Sequence, residues 1–174
     1  MIMCVIGIPL SGKTTVAKYL ADRYGAYYLS TGDIFRKMNQ IGEDVSKTDL
    51  SLEYDREIRR LVIAECIIQK HIIVDGYPRS LDQLYELMGL EKDYRIVYVY
   101  TPLPIVLDRA KRRKRDWQDA ADKVISRARA ARKLWTNIRE VAPEEKLLYY
   151  CDIEHEEHIL SKFVEGAFNA KNYR

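Results

Sequence analysis

Short apolar runs recur along the chain, and most are followed by a longer stretch in which apolar residues return every three or four positions. "MIMCVI" (1–6), "AYYL" (26–29), "HIIVD" (71–75), "RIVYVY" (95–100) and "KLLYYC" (146–151) are brief and rich in β-branched or aromatic residues, so they predict strands. Several are apolar at consecutive positions, which suits strands buried on both faces of a parallel sheet. Helices are expected over about 13–24, 33–40, 52–70, 80–88, 104–114, 117–138 and 154–169. In 52–70, Ile58, Leu61, Val62, Glu65 and Ile68 fall around helical spacings, with charges concentrated early. Such alternation predicts βαβ units with right-handed crossovers, hence an α/β fold. No internal repeat, low-complexity tract or linker breaks the pattern, so residues 1–174 read as a single domain.

Composition agrees with that picture. A chain of 174 residues, 47% of them hydrophobic, suits one compact domain with a buried core. No apolar run reaches the length that spans a bilayer, and "MIMCVIG" is too short and lacks the basic flank of a secretory signal. The expectation is a cytoplasmic protein with no membrane partner. Cys4, Cys66 and Cys151 are far apart and odd in number, which predicts small buried hydrophobes in a reducing compartment. His71, His155 and His158 form no metal constellation. "HEEH" at 155–158 could put two histidines on one helical face, but no third ligand is suggested. A net charge of +3 is too small for a general nucleic-acid binder. The local exception is "DRAKRRKRDW" (108–117), with six cations in ten positions. It reads as a solvated helical face, an RNA-binding patch or a cation cluster for phosphate.

The chemistry starts at "GIPLSGKTT", residues 7–15, directly after the first strand. A glycine-rich turn between a strand and a helix points successive backbone N–H groups into one concavity, and the helix amino terminus adds its positive end. Gly7, Pro9, Leu10, Ser11 and Gly12 form the turn. Lys13 supplies a cation for the β- and γ-phosphates, and Thr14 or Thr15 a hydroxyl for Mg²⁺ or phosphate. The loop predicts a nucleoside triphosphate.

Two further stretches follow the second and third strands. "STGDIFRKM" (30–38) reads as a helix start, with Ser30 or Thr31 capping, Gly32 turning and Asp33 in the first turn, which leaves Arg36 unexplained. "VDGYPRSLDQ" (74–83) puts Asp75 at the carboxyl end of a strand, where ligands bind in open parallel sheets. Gly76 lets backbone approach a ligand, Pro78 stiffens the turn and Arg79 projects from it.

Together the three stretches resemble the adenylate kinase family of P-loop nucleoside monophosphate kinases, whose signatures are G-x-P-G-x-G-K, S-T-G-D-x-x-R and D-G-[FY]-P-R-[ST]-x-x-Q. The resemblance implies a P-loop NTPase three-layer α/β/α sandwich with a five-stranded parallel sheet. It also implies a small acceptor-binding helical region at about 30–60 and a short lid at about 109–118. It makes the activity transfer of the γ-phosphoryl of Mg·ATP to a nucleoside monophosphate, AMP first, giving two ADP. The alternatives are another acceptor such as CMP, UMP or a deoxynucleotide, or an adenylate kinase-like ATPase acting in RNA or ribosome assembly.

Carried over residue by residue, the resemblance puts Lys13 on the transferring group. Thr31, Gly32, Arg36, Gly76 and Arg79 bind the acceptor, and Gln83 lies where the family reads the adenine edge. Thr14 and Asp75 serve Mg²⁺, Asp75 through water. Arg109 and Arg113, spaced i, i+4, match an arginine pair before the lid. Arg115 and Arg127 match arginines after it, with Arg129 close behind. Lys13, Arg79, Arg113 and Arg127 are the expected catalytic set, Arg109 joins the ATP side, and Arg115 and Arg127 reach the acceptor. The chain departs from the family by lacking a long lid insertion, by placing Leu10 and Thr14 where glycines are usual, and by lacking a clear acceptor-base segment at 41–51. The expected partners are small nucleotides, with RNA as the alternative, and the expected form is a monomer or small homo-oligomer.

Overall fold

A computed structural model of the chain describes residues 1–41, 49–113, 121–151, 160–163 and 165–166. Five strands, β1 (Ile2–Gly7), β2 (Tyr27–Ser30), β3 (Ile72–Asp75), β4 (Tyr94–Tyr100) and β5 (Leu147–Cys151), form one sheet in the order β2-β3-β1-β4-β5. Every neighbouring pair is parallel. The helices are α1 (Lys13–Tyr24), α2 (Thr31–Ile41), α3 (Asp49–Ile68), α4 (Leu81–Met88), α5 (Leu103–Arg113) and α6 (Ala121–Val141). One turn of 3-10 helix, Glu144–Lys146, leads into β5. Residues 160–163 are helical, and the rest of the expected 154–169 helix lies largely outside the described residues.

Period-2 alternation on β1 splits the core into two layers. Ile2, Cys4 and Ile6 face one side with Ile72, Val74, Ile96 and Tyr98, covered by Ile58, Val62 and Cys66 of α3, Leu84 and Leu87 of α4, and Ile138 of α6. Met3 and Val5 face the other with Ile73, Val97 and Val99, covered by Val16, Ala17, Leu20 and Ala21 of α1. This is the expected α/β/α sandwich. A third, smaller cluster joins Ile8 to Val106 and Ala110 of α5 and Val124 and Ala128 of α6, with Leu10, Leu103, Leu107 and Ala131 packed on it. It ties the loop after β1 to the two helices that flank the lid stretch.

One expectation is corrected. The buried stripe of α3 is Ile58, Val62 and Cys66, whereas Leu61 is 38% and Ile68 71% exposed. Only the i, i+4, i+8 row meets the sheet and α4. Cys4 and Cys66 are buried thiols, as expected. Among the described residues no helix is long and apolar enough to cross a membrane.

Candidate functional site

Register brings the three motif-bearing strand ends together. Val5 of β1 and Ser30 of β2 both pair with Asp75 of β3, so the turns that follow open at one rim of the sheet.

At that rim the loop after β1 is tightly constrained. A Cβ on Gly7 would meet the Val99 carbonyl oxygen at 2.2 Å, so only glycine fits beside β4. Gly12, with φ 90, caps α1, which leaves the first N–H groups of α1 without helical partners. Leu10 takes φ 61 and packs its side chain on the α5–α6 cluster. The buried Thr101 hydroxyl donates to the Ser11 carbonyl (3.0 Å), and Arg109 Nη1 donates to the Leu10 carbonyl (3.0 Å). The Ser11 hydroxyl is buried and finds no hydrogen-bond partner among the described residues. Lys13 folds back over the loop, its Nζ donating to the Ile8 carbonyl at 2.6 Å. Pro9 lies in the turn, and Thr15 is exposed in the first turn of α1.

Asp75 joins the corners. Its Oδ2 accepts from Thr14 Oγ1 (2.7 Å) and from the Tyr28 hydroxyl (3.1 Å). Burial, and next the Asp75 charge, push the Tyr28 phenol up, which keeps it a donor. A hydroxyl and a buried carboxylate together are hard oxygen donors of the kind Mg²⁺ takes, so the residues fit that ion. Among the described residues no group of three or more His, Cys, Asp or Glu gathers as a metal site, and the "HEEH" stretch lies outside them.

The corner expected to take the acceptor is built from the turns after β2 and β3. The Thr31 hydroxyl lies 3.1 Å from the Asp75 carbonyl and 3.0 Å from the Gly76 carbonyl, and it accepts from Arg79 Nη2 at 3.0 Å. Arg79 Nε donates to the Gly76 carbonyl (3.0 Å). Gly76 has φ 85, and a Cβ there would stand 2.7 Å from the Thr31 hydroxyl, so a side chain would wedge the cluster apart. Tyr77–Pro78 is a cis peptide. Arg36 pairs with Asp33 one turn earlier on α2, lies over Gly32, and holds the Asp33 carboxyl below its ordinary pKa. Although part of Arg79 stays exposed, crowding by protein atoms lowers its pKa; Asp55 and Asp75 then raise it and Arg127 lowers it. Arg127 and Asp55 therefore stand within electrostatic reach of Arg79.

Gln83 is buried, not exposed as a helical-surface residue would be. Its Oε1 accepts from the Arg79 backbone N–H (2.7 Å), and its Nε2 donates to Asp55 Oδ1 (2.8 Å). Arg113 ends α5, with its side chain outside the described residues, and Arg115 lies outside them altogether. Arg127 and Arg129 are exposed on α6. Most of the 41–51 stretch, and the lid beyond residue 113, also lie outside the described residues.

Sequence reading missed Tyr28, Thr101 and Asp55. Tyr28 lies two residues before Ser30, on the same face of β2, and Thr101 directly follows β4 at the same rim. Strand period and rim position mark Tyr28 and Thr101 as facing the rim without naming their partners, and no such signal marks Asp55 on α3.

A family model described as an AAA domain matches residues 6–126, which spans both the phosphate loop and the acceptor corner. An adenylate kinase from Pyrococcus horikoshii is 34% identical over 108 residues, covering 55% of this chain and 47% of that protein. One from Mycoplasmopsis pulmonis is 33% identical over 124 residues, covering 63% and 57%. The chain thus spans about half the length of these adenylate kinases. A cytidylate kinase from Methanocaldococcus jannaschii is 28% identical over 176 residues, covering 97% of this chain and 94% of that protein. A crystal structure of a candidate kinase from Chloroflexus aurantiacus superposes with a TM-score of 0.71 at 14% identity, covering 97% of each chain, which establishes the shared fold. The chain belongs to the AAA domain family and within it is adenylate kinase-like.

Proposed function

We propose that this protein is a nucleoside monophosphate kinase that moves the γ-phosphoryl of ATP to AMP, as in the adenylate kinases it resembles. CMP is the second candidate acceptor, favoured by similarity to a cytidylate kinase along 94% of that protein's length. The observation that carries the reading is the junction at Asp75. Its side chain bonds Thr14 of the phosphate loop, and its backbone bonds Thr31, which bonds Arg79. A donor corner and an acceptor corner so joined suit the transfer of a group between two anions.

The acceptor phosphate is already largely dianionic near neutral pH, because its second pKa is about 6, so no general base is needed. Catalysis is positioning and charge neutralisation. The loop N–H groups and Lys13 hold the triphosphate, and Arg109 braces the loop through the Leu10 carbonyl. Arg79 and Arg36 present guanidinium forks to the acceptor phosphate. Arg113, Arg115 and Arg127 add cations from the lid side and help exclude water. Thr14 and Asp75 would hold Mg²⁺, which when bound neutralises charge on the β- and γ-phosphates. The proposal takes 1–174 as one catalytic domain acting in the cytoplasm as a monomer or small homo-oligomer.

The test is to incubate the protein with Mg·ATP and each monophosphate in turn and to resolve the products. ADP should form from both substrates when AMP is present, and ADP together with CDP when CMP is the acceptor. Arg79→Ala should lower kcat by about 10²–10³ while the melting temperature holds. Unchanged turnover removes Arg79 from the mechanism. ATP hydrolysis that no monophosphate stimulates overturns the kinase reading in favour of an ATPase.

A further inference from the structure

We propose that Asp55, on α3, reads the acceptor base, selecting bases with an exocyclic amino group over those with a carbonyl oxygen at that position. The inference rests on the kinase reading above and narrows its acceptor to the adenine and cytosine class.

It starts from what Gln83 is doing. That side chain is 1% exposed. Its carbonyl end is engaged by the Arg79 backbone, and its amide end is pinned to Asp55. Its own N–H donates to Ser80 Oγ (3.3 Å), and its carbonyl accepts from the Tyr77 hydroxyl (3.3 Å). A buried glutamine held at both ends of its amide is a brace, and what it braces is a carboxylate.

Asp55 is held from the other side as well. Its Oδ2 accepts from Arg59 Nε (2.7 Å), and Arg59 Nη1 continues to Glu86 on α4 (3.1 Å). Two donors from two helices thus fix the orientation of the carboxylate. The side chain nonetheless remains 38% exposed. Each oxygen has two lone pairs and one named donor, so acceptor capacity is left on both. Asp55 also acts electrostatically on Arg79, the guanidinium assigned to the acceptor phosphate. The path Arg79–Gln83–Asp55 therefore links a phosphate-binding residue to an oriented, partly exposed acceptor group.

A carboxylate accepts and cannot donate. Opposite it, the amino group of adenine or cytosine gains a charge-assisted hydrogen bond. The carbonyl oxygen of uracil or hypoxanthine would face an anion, so the group discriminates by repulsion as well as by attraction. One such bond gained and one repulsion avoided amounts to about tenfold to a hundredfold in affinity at a half-exposed site.

The test uses two matched pairs that differ only in this substituent, CMP against UMP and AMP against IMP. Equilibrium binding of each to the full chain is measured by calorimetry, for the wild type and for Asp55→Asn. The wild type should favour the amino member by about tenfold or more in whichever pair binds. Asp55→Asn, whose amide can present a donor, should bring that ratio close to one. Asp55→Ser serves the same comparison if the asparagine variant does not fold. A wild-type ratio near one overturns the proposal, and so does a folded variant that keeps the wild-type ratio, which would leave Asp55 as an anchor for Arg59 alone. Phosphoryl transfer is scored separately. Base discrimination in binding without transfer overturns the kinase reading and keeps Asp55 in its role, whereas transfer without discrimination does the reverse.

Discussion

Leu10 occupies a left-handed backbone position, φ 61, in the middle of the phosphate loop, and there the usual order of alanine and glycine should invert. A residue with a Cβ costs roughly 1–2 kcal/mol in that conformation. Glycine avoids the cost but loses about 0.5–1 kcal/mol more chain entropy on folding. Both truncations remove the half-buried isobutyl group from the cluster of Ile8, Val106, Ala110, Val124 and Ala128, at about 1 kcal/mol, roughly half the value of a fully buried leucine. Leu10→Ala keeps the strain and loses the packing, so it should fall about 1 kcal/mol below wild type. Leu10→Gly loses the packing and sheds the strain, so it should lie about 0.5–1 kcal/mol above the alanine variant. The bond from Arg109 to the Leu10 carbonyl is to backbone and survives both changes. In a chain of 174 residues, 1 kcal/mol moves the melting temperature by about 2–4 °C. Urea unfolding at matched slope gives the difference directly. An alanine variant as stable as the glycine variant, or more so, would refute both the strained conformation and the account of why leucine is tolerated there.

Gly7→Ala should destabilise by about 3 kcal/mol or more, because the added carbon meets the Val99 carbonyl at 2.2 Å and neither backbone can yield without breaking β1–β4 pairing. A fall in melting temperature of less than about 2 °C would contradict that clash. Burial raises the Cys66 thiol from 9.0 to about 11, so the folded state holds this proton more tightly than the unfolded chain. Its contribution is complete below pH 9 and is lost as pH rises towards 11, about 3 kcal/mol in all. Urea midpoints at pH 8.5 and 10.5 should therefore fall less in Cys66→Ala than in the wild type, and equal declines would sink the assignment.

β1, β3 and β4 were legible because a strand buried on both faces is a continuous apolar run, whereas β2 and β5, less buried, were legible by their aromatic content. The α3 stripe was read too widely because Leu61 and Ile68 look like core by type, while Cys66, a small residue, completes the buried row. The site divides the same way. Thr14, Thr31, Asp75 and Arg79 were legible as candidates because each lies in a local motif that ends or follows a strand. Asp55, Tyr28 and Thr101 were not, because their roles arise from hydrogen bonds spanning 28, 47 and 90 residues. Nothing in a local stretch signals a partner at that distance. Gln83 shows the intermediate case: its motif position was legible, but whether its amide faces a ligand or a neighbour depended on Asp55, 28 residues away in sequence.

The site is also a load path through the fold. From Thr14 the bonds run to the Asp75 side chain, from its carbonyl to Thr31, and on to the Arg79 guanidinium. The Arg79 backbone then bonds Gln83, and Gln83 bonds Asp55 on α3. Every link but Arg79, which lies in the turn between β3 and α4, belongs to a strand end or a helix of the sandwich. Groups fixed before a ligand arrives spend less free energy on ordering when it binds, which is what bringing two anions together demands. The lid side is built differently. Arg109 touches the loop through one carbonyl, and α5 and α6 meet the loop through Ile8 and Leu10 in the smallest of the three clusters. The residues of the bonded path are polar, while the one non-glycine left-handed position in the loop, Leu10, sits where the loop packs on α5 and α6.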